Sequence, residues 1–389
     1  LVLMVYLLAR RGLKSRAAGL IGALIVAVLP SLVVASQSIK ADAPCALFMA
    51  LSVYIFLRAK DESSVRGLML AGLAAGAAMG TKYCGIILVP VYLVWEATQA
   101  IWHRRPWKTT AVRAVALTLM FVVGFFVTSP YNFLDPSWGK SVWDRGRTAL
   151  SIAEQTQAIS PDSKTVYQTG VASWPGAAAH FLEEMRQPYL GGLLIQLLTV
   201  LGLVFGLRQG ASRSYSLLVL LIFSIFLGFA VVLFPFRVSA RHLSVLVPLT
   251  APLVGIGITE LAKLIPGPRR AQALVAAIAG MAICLPSLAI TVRHDRRVMR
   301  HDSRTLARDW IVHNLASARL LVEDEGPTLN PSSPAVERMQ TDLARLAQGP
   351  FTRSQKQRLD LLSRFPPEDG LDIDRLGHPW WLDREIPAD

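Results

Sequence analysis

Residues 67–102 read GLMLAGLAAGAAMGTKYCGIILVPVYLVWEATQAIW. Between Arg66 and Glu96 the one charged side chain is Lys82. A bilayer's hydrocarbon core takes about 20 apolar residues in helix, with shorter pieces possible inside a bundle. This stretch therefore holds two spans, 67–81 and 83–102, with a lysine at their joint. Gly72, Gly76 and Gly80 recur at every fourth position, a spacing that lets two helices approach closely. Two apolar helical runs joined by so short a turn predict an all-α polytopic membrane protein.

Working outward, seven more candidate spans follow the same pattern, at 17–35, 43–57, 114–133, 190–207, 214–236, 243–262 and 271–292. Pro30, Pro90, Pro248, Pro252 and Pro286 fall within the spans, which membrane helices tolerate where neighbours satisfy the freed carbonyls. The first nine residues, LVLMVYLLA, read as the tail of an apolar helix with neither the charged start nor the cleavage site of a signal peptide. The expectation is a piece of a longer protein that lacks its N-terminal part.

The whole chain has 389 residues, 52% hydrophobic and 17% charged, against about a quarter charged in soluble proteins. Its net charge is +13. Alternate short connections, at 10–16, 58–66, 104–113, 208–213 and 263–270, carry sixteen of the lysines and arginines and mark the cytoplasmic side. The basic excess is thus a topology signal, not a nucleic-acid footprint. The other side receives 36–42, the Thr81-Lys82 joint, a long loop at 129–189, the turn 235–242 and a tail at 293–389. Arg293, Arg296, Arg297, Arg300, Arg304 and Arg308 run against this assignment, and the five basic loops outweigh them. Two domains are expected: a membrane region over 1–292 and a small extracytoplasmic domain over 293–389. In the tail, 302–315 has an amphipathic helical pattern, 319–323 suits a short strand, and 332–362 reads as helix until Pro366-Pro367.

Three cysteines, Cys45, Cys84 and Cys284, are too few for a disulfide framework and show no metal spacing. No metal ligands are assigned, and a divalent metal requirement is left open. Phosphate-loop, zinc-protease, nucleophile-elbow and dinucleotide-binding motifs are absent. The chemistry must lie in charges at or near membrane depth, which are costly unless paired or solvated. Asp42, two residues after Lys40, opens a helix just before Pro44. Helix capping and an active-site role are both open for it. Lys82 either snorkels to the interface or meets an anionic ligand. Arg237 and Arg241, followed by His242, sit in a tight turn. A guanidinium fork grips phosphate oxygens, although Arg237 also suits an interfacial anchor. Trp138, Trp143 and Trp174 in the long loop fit a membrane belt or sugar stacking. Glu96 and Glu260, near cytoplasmic helix ends, suit solvated or paired structural roles.

The run PSLVVASQSIKADAPCALFMALSVYIFLRA at 30–59, followed by GLMLAGLAAGAAMGTKYCGIILVPVYLV at 67–94, resembles membrane glycosyltransferases of the GT-C class. The likeness is to the protein O-mannosyltransferase and aminoarabinose transferase superfamily. VTSPYNFLDPSWGK at 127–140, SARHLSVLVPLTAPL at 239–253 and SRTLARDWIVHNL at 303–315 extend it. The resemblance implies a GT-C-like helical bundle with its site at the outer leaflet, and sugar transfer from a polyprenyl-phosphate donor. It implies that Asp42 matches the family's second acidic position. Lys82 matches its Thr/Ser-Lys element, and Arg241-His242 its Arg-Tyr element near the donor phosphate, with histidine in place of tyrosine. The family's principal catalytic aspartate lies in a first outer loop that precedes this sequence, so the chain alone is expected to be inactive.

The expected function is transfer of a sugar from a polyprenyl-phosphate-linked donor to a protein, lipid or glycan acceptor at the outer face of an inner membrane. Asp42 is the catalytic candidate; Lys40, Lys82, Arg237, Arg241 and His242 are the substrate-binding ones. No nucleic-acid partner is expected; the polyprenyl-phosphate sugar is the donor substrate, no cofactor is assigned, and a divalent metal stays open. The alternative is a polytopic transporter or lipid flippase with an anion path, which would bring inverted repeats and paired broken helices.

Overall fold

The computed structural model describes residues 1–37, 40–134, 183, 186–233, 243–299, 303–315, 320–323, 333–345, 363 and 373–376. The chain divides into two compact units, Leu1–Arg293 and His294–Asp389.

The first unit is helical throughout its described residues. Its elements are α1 (Val2–Leu8), α2 (Arg16–Val28), α3 (Pro30–Gln37), α4 (Asp42–Asp61), α5 (Val65–Thr81), α6 (Leu88–Trp102), α7 (Trp107–Thr128), α8 (Tyr131–Leu134), α9 (Gly192–Arg208), α10 (Gly210–Leu233), α11 (Val247–Lys263) and α12 (Arg269–Val298). Among the described residues six helices are long and apolar enough to cross a membrane, and a bent pair makes a seventh. α5 and α9 are apolar but shorter. This unit is that of an all-α polytopic membrane protein, and the nine expected spans each fall on one of these helices or helix pairs.

Lipid-facing and enclosed helices are distinguishable by what they expose. The apolar stretch ending in α11 buries 83% of itself inside the protein, whereas α7 and α12 bury 22% each. On α7, Val112, Val115, Leu119, Val122, Val123, Phe126 and Val127 stay exposed. Water would penalise so large an apolar face; a hydrocarbon solvent does not.

The expected span at 17–35 is broken. Ser15 caps α2, its hydroxyl accepting from the Ala18 amide at 3.1 Å. The helix then stops at Val28, because a residue before proline is pushed out of the α region and Leu29 is extended, at φ −70° and ψ 123°. α3 leaves at 55° to α2. The break diverts the Leu32 amide to the Leu29 carbonyl, and the Thr291 hydroxyl of α12 donates to the Val28 carbonyl at 2.8 Å. Among the described residues this is the one helix pair bent by more than 40° at a short break.

Glycines bring α5 and α7 into backbone contact. A Cβ on Gly72 would lie 2.3 Å from the Leu117 carbonyl oxygen, one on Gly76 2.0 Å from that of Phe121, and one on Gly124 2.2 Å from that of Leu73. The fourfold glycine spacing of α5 is therefore the seat of α7. Two polar groups deep in the core are bonded: Ser52 donates to the Ala71 carbonyl at 2.8 Å and meets the Tyr92 hydroxyl at 2.8 Å, while Tyr215 donates to the Leu249 carbonyl at 2.6 Å.

The second unit contains α13 (Ser303–Asn314), β1 (Leu320–Glu323), α14 (Ser333–Arg345) and β2 (Ile373–Leu376). β1 and β2 pair in parallel, Leu320 opposite Ile373 and Glu323 opposite Leu376. A parallel pair needs a long crossover, and α14 lies within it. β1 falls where a strand was expected; β2 was not anticipated.

Candidate functional site

α4 and α5 run antiparallel, so the N-terminus of α4 and the C-terminus of α5 lie at one end of the bundle. Asp42 is the first residue of α4. It is not the helix cap: Ala41 holds that position, and no side chain caps the helix. The capping reading is thus corrected. The Asp42 carboxylate is 1% exposed and forms an ion pair with the Lys82 ammonium.

Lys82 ends α5. Its backbone is extended, φ −157° and ψ 130°, between α5 and a 3-10 turn over Tyr83–Ile87. Its amide donates to the Ala78 carbonyl at 2.9 Å and its carbonyl accepts from Gly85 at 3.0 Å. The extended residue swings the side chain across to α4, with 19% of it exposed. An anion at a helix N-terminus and a cation at a helix C-terminus each complement the local dipole. The pair is therefore favoured by both helices as well as by mutual attraction. Lys82 does not simply snorkel to the interface. Among the described residues its ammonium donates one hydrogen bond, to Asp42, which leaves donors for a second anion.

Cys45, one turn into α4 from Asp42, places its sulfur 3.7 Å from that of Cys84, two residues after Lys82. Lys40 is exposed, just ahead of Asp42. Arg237, Arg241 and His242 lie outside the described residues, as does most of the loop at 129–189. The described residues thus join Asp42 and Lys82. No group of three or more histidines, cysteines or carboxylates that could hold a metal occurs among them.

The opposite end of α4 carries a second set of charges. Arg113, expected in a basic loop, lies inside α7 and is 4% exposed. Its Nε and a second guanidinium nitrogen donate to the two oxygens of Glu96, at 2.7 and 3.1 Å, and its remaining nitrogen donates to the Ser63 carbonyl at 3.2 Å. Arg105 stands 3.9 Å from the same carboxylate. Glu96 thus takes the paired structural role expected of it. Nearby, Lys60 donates to Ser214 at 2.5 Å and lies 5.4 Å above the Trp95 ring, and Arg11 reaches Asp61 at 3.1 Å. The burial of Arg113 was signalled in the sequence by its position, in register with the apolar run that follows it.

The fold and this site define an integral membrane protein in which two short antiparallel helix ends present a carboxylate–ammonium pair. The comparison with known families agrees with that class. Residues 1–126 match the family described as dolichyl-phosphate-mannose-protein mannosyltransferase. Over that stretch, which includes both Asp42 and Lys82, the chain is similar to mannosyltransferases of the GT-C class. The comparison with curated proteins returns no match.

Proposed function

We propose that the protein takes part in transferring a sugar from a polyprenyl-phosphate donor at the outer face of the membrane, with the Asp42–Lys82 end of the bundle facing outward. The observation that carries this reading is the Asp42–Lys82 pair, inside the stretch that matches a mannosyltransferase family. The basic connections at the opposite helix ends support the orientation, and with it we propose that the tail from residue 293 onward is extracytoplasmic. In this reading the donor phosphate engages the ammonium hydrogens that Asp42 does not use. Lys40, Arg237, Arg241 and His242 complete the phosphate field.

The chemistry follows from charge. Breaking the bond between the sugar's anomeric carbon and the phosphate oxygen leaves negative charge on the lipid phosphate, which nearby cations stabilise. The acceptor hydroxyl forms the new bond to the anomeric carbon and loses its proton to a carboxylate. Asp42 shapes or assists that acid/base step from its place beside Lys82.

Binding of a radiolabelled polyprenyl-phosphate hexose to membranes carrying the full chain tests the reading. A hydrogen bond to a charged group contributes about 1.5–3 kcal/mol, so Lys82→Ala should weaken binding by roughly 10- to 150-fold. Lys82→Arg should retain most of it. Equal affinity in the native chain and Lys82→Ala would refute the assignment.

A further inference from the structure

We propose that Cys45 and Cys84 are a redox-modification site, a dithiol that closes to a disulfide under a disulfide oxidant and ties the Lys82 joint covalently to α4. The two sulfurs lie 3.7 Å apart. A disulfide spans about 2.05 Å, so the closing movement is roughly 1.6 Å, within reach of small side-chain rotations. The two residues come from elements separated by 39 positions and already linked by the neighbouring ion pair. Asp42 and Cys45 stand three residues apart on one face of α4. Lys82 and Cys84 stand two residues apart along the joint. The four side chains form two rungs, one ionic and one of sulfur. The Cys45 thiol also approaches the Lys82 carbonyl, at 4.0 Å. Cys284, on α12, is buried and serves as an internal standard.

Cys45 is buried and Cys84 half-buried, so the oxidant meets Cys84 first. The Cys84 thiolate attacks one sulfur of an external disulfide, forming a mixed disulfide and releasing one thiol. The Cys45 thiolate then attacks the Cys84 sulfur and releases the second thiol. Two electrons pass from the cysteine pair to the oxidant's S–S bond, and the two cysteine protons end on the two released thiols. Closure removes the Cys45 S–H from the Lys82 carbonyl and holds the joint against α4 whether or not the ion pair is intact. The inference rests on the proposed orientation only for its setting, since the outer compartment is the oxidising one.

Full chain in detergent micelles, treated with glutathione disulfide or with a dithiol reductant, is denatured and labelled with a polyethylene-glycol maleimide. The reduced chain should take three labels, one per cysteine, and the oxidised chain one, on Cys284. Digestion should yield a single cross-linked peptide pair holding Cys45 and Cys84. In a Cys284→Ser chain the count should fall from two to none. Three labels under both treatments, or loss of labels through separate glutathione adducts, would overturn the proposal. Donor binding, measured on the same samples, separates the two claims. A bridge that closes in a chain with no affinity for the lipid-linked sugar sinks the transferase reading alone. Donor binding by a chain that cannot be bridged sinks the dithiol site alone.

Discussion

Replacing Glu96 and Arg113, singly and together, probes the buried cluster at the end of the bundle away from Asp42. The two side chains are 3% and 5% exposed and joined by two hydrogen bonds, at 2.7 and 3.1 Å. Two unit charges 3 Å apart at an effective dielectric constant of 20 attract by about 5 kcal/mol. Desolvation costs several kcal/mol per ion, so the intact pair gains little over a well-packed apolar pair. Removing one partner is different, because the other charge stays buried. Glu96→Leu leaves the Arg113 guanidinium with the Ser63 carbonyl alone, and should cost about 3–5 kcal/mol. Arg113→Met leaves Glu96 with Arg105 at 3.9 Å and should fall at the lower end of that range. The double variant should lie within about 1 kcal/mol of the native protein, or above it. Denaturation in mixed micelles, followed by tryptophan fluorescence, to which Trp95 packed edge-on to Phe56 contributes, measures all four proteins. The reasoning fails if the double variant loses the sum of the single losses to within about 0.5 kcal/mol, the range expected of independent sites.

Gly76→Ala should lower the thermal midpoint, because its Cβ would lie 2.0 Å from the Phe121 carbonyl oxygen and force α5 and α7 apart, at a cost of about 1–3 kcal/mol or more. Gly210→Ala, where nothing lies within 4 Å, should leave the midpoint unchanged or raised in the same assay. Ser52→Ala should destabilise more than Tyr92→Phe. The first removes the hydroxyl that the buried Tyr92 meets, a loss of about 1–3 kcal/mol, whereas the second leaves Ser52 donating to Ala71. The reverse order in denaturation would overturn that account.

The spans were legible because long apolar runs with at most one charge have few alternatives. Their ends were less so. α7 begins at Trp107, seven residues before the expected 114, because Glu96 on the neighbouring helix compensates Arg113 and lets the helix take in a charge. Counting arginines by loop cannot reveal a partner seventeen residues away. The break at Pro30 was visible as a proline, but not the 55° turn, which needs Thr291 from α12 to supply a donor. At the candidate site, Asp42 and Lys82 were each marked as charges near membrane depth. Their pairing was hidden, since it depends on α4 and α5 being antiparallel and on the extended backbone of Lys82. The cysteine contact was hidden for the same reason. β2 is four residues long, two of them charged, and carries too little pattern to read without its partner.

The seating of α5 against α7 has a consequence for how the chain is made. α5 is 17 residues, about 25 Å of helix against a hydrocarbon layer of roughly 30 Å, and much of it is glycine and alanine. Such a segment has little tendency to stay in lipid unaided, and its grooved face is complementary to a helix that emerges from the ribosome only after α6 is complete. Synthesis therefore passes through an interval in which α5 and the Lys82 joint lack their lateral support. The interval ends when α7 docks carbonyl-first into the glycine row. α7 ends at Thr128, so by this argument the glycine row of α5 stays uncovered until more than forty residues after its own last residue have been made.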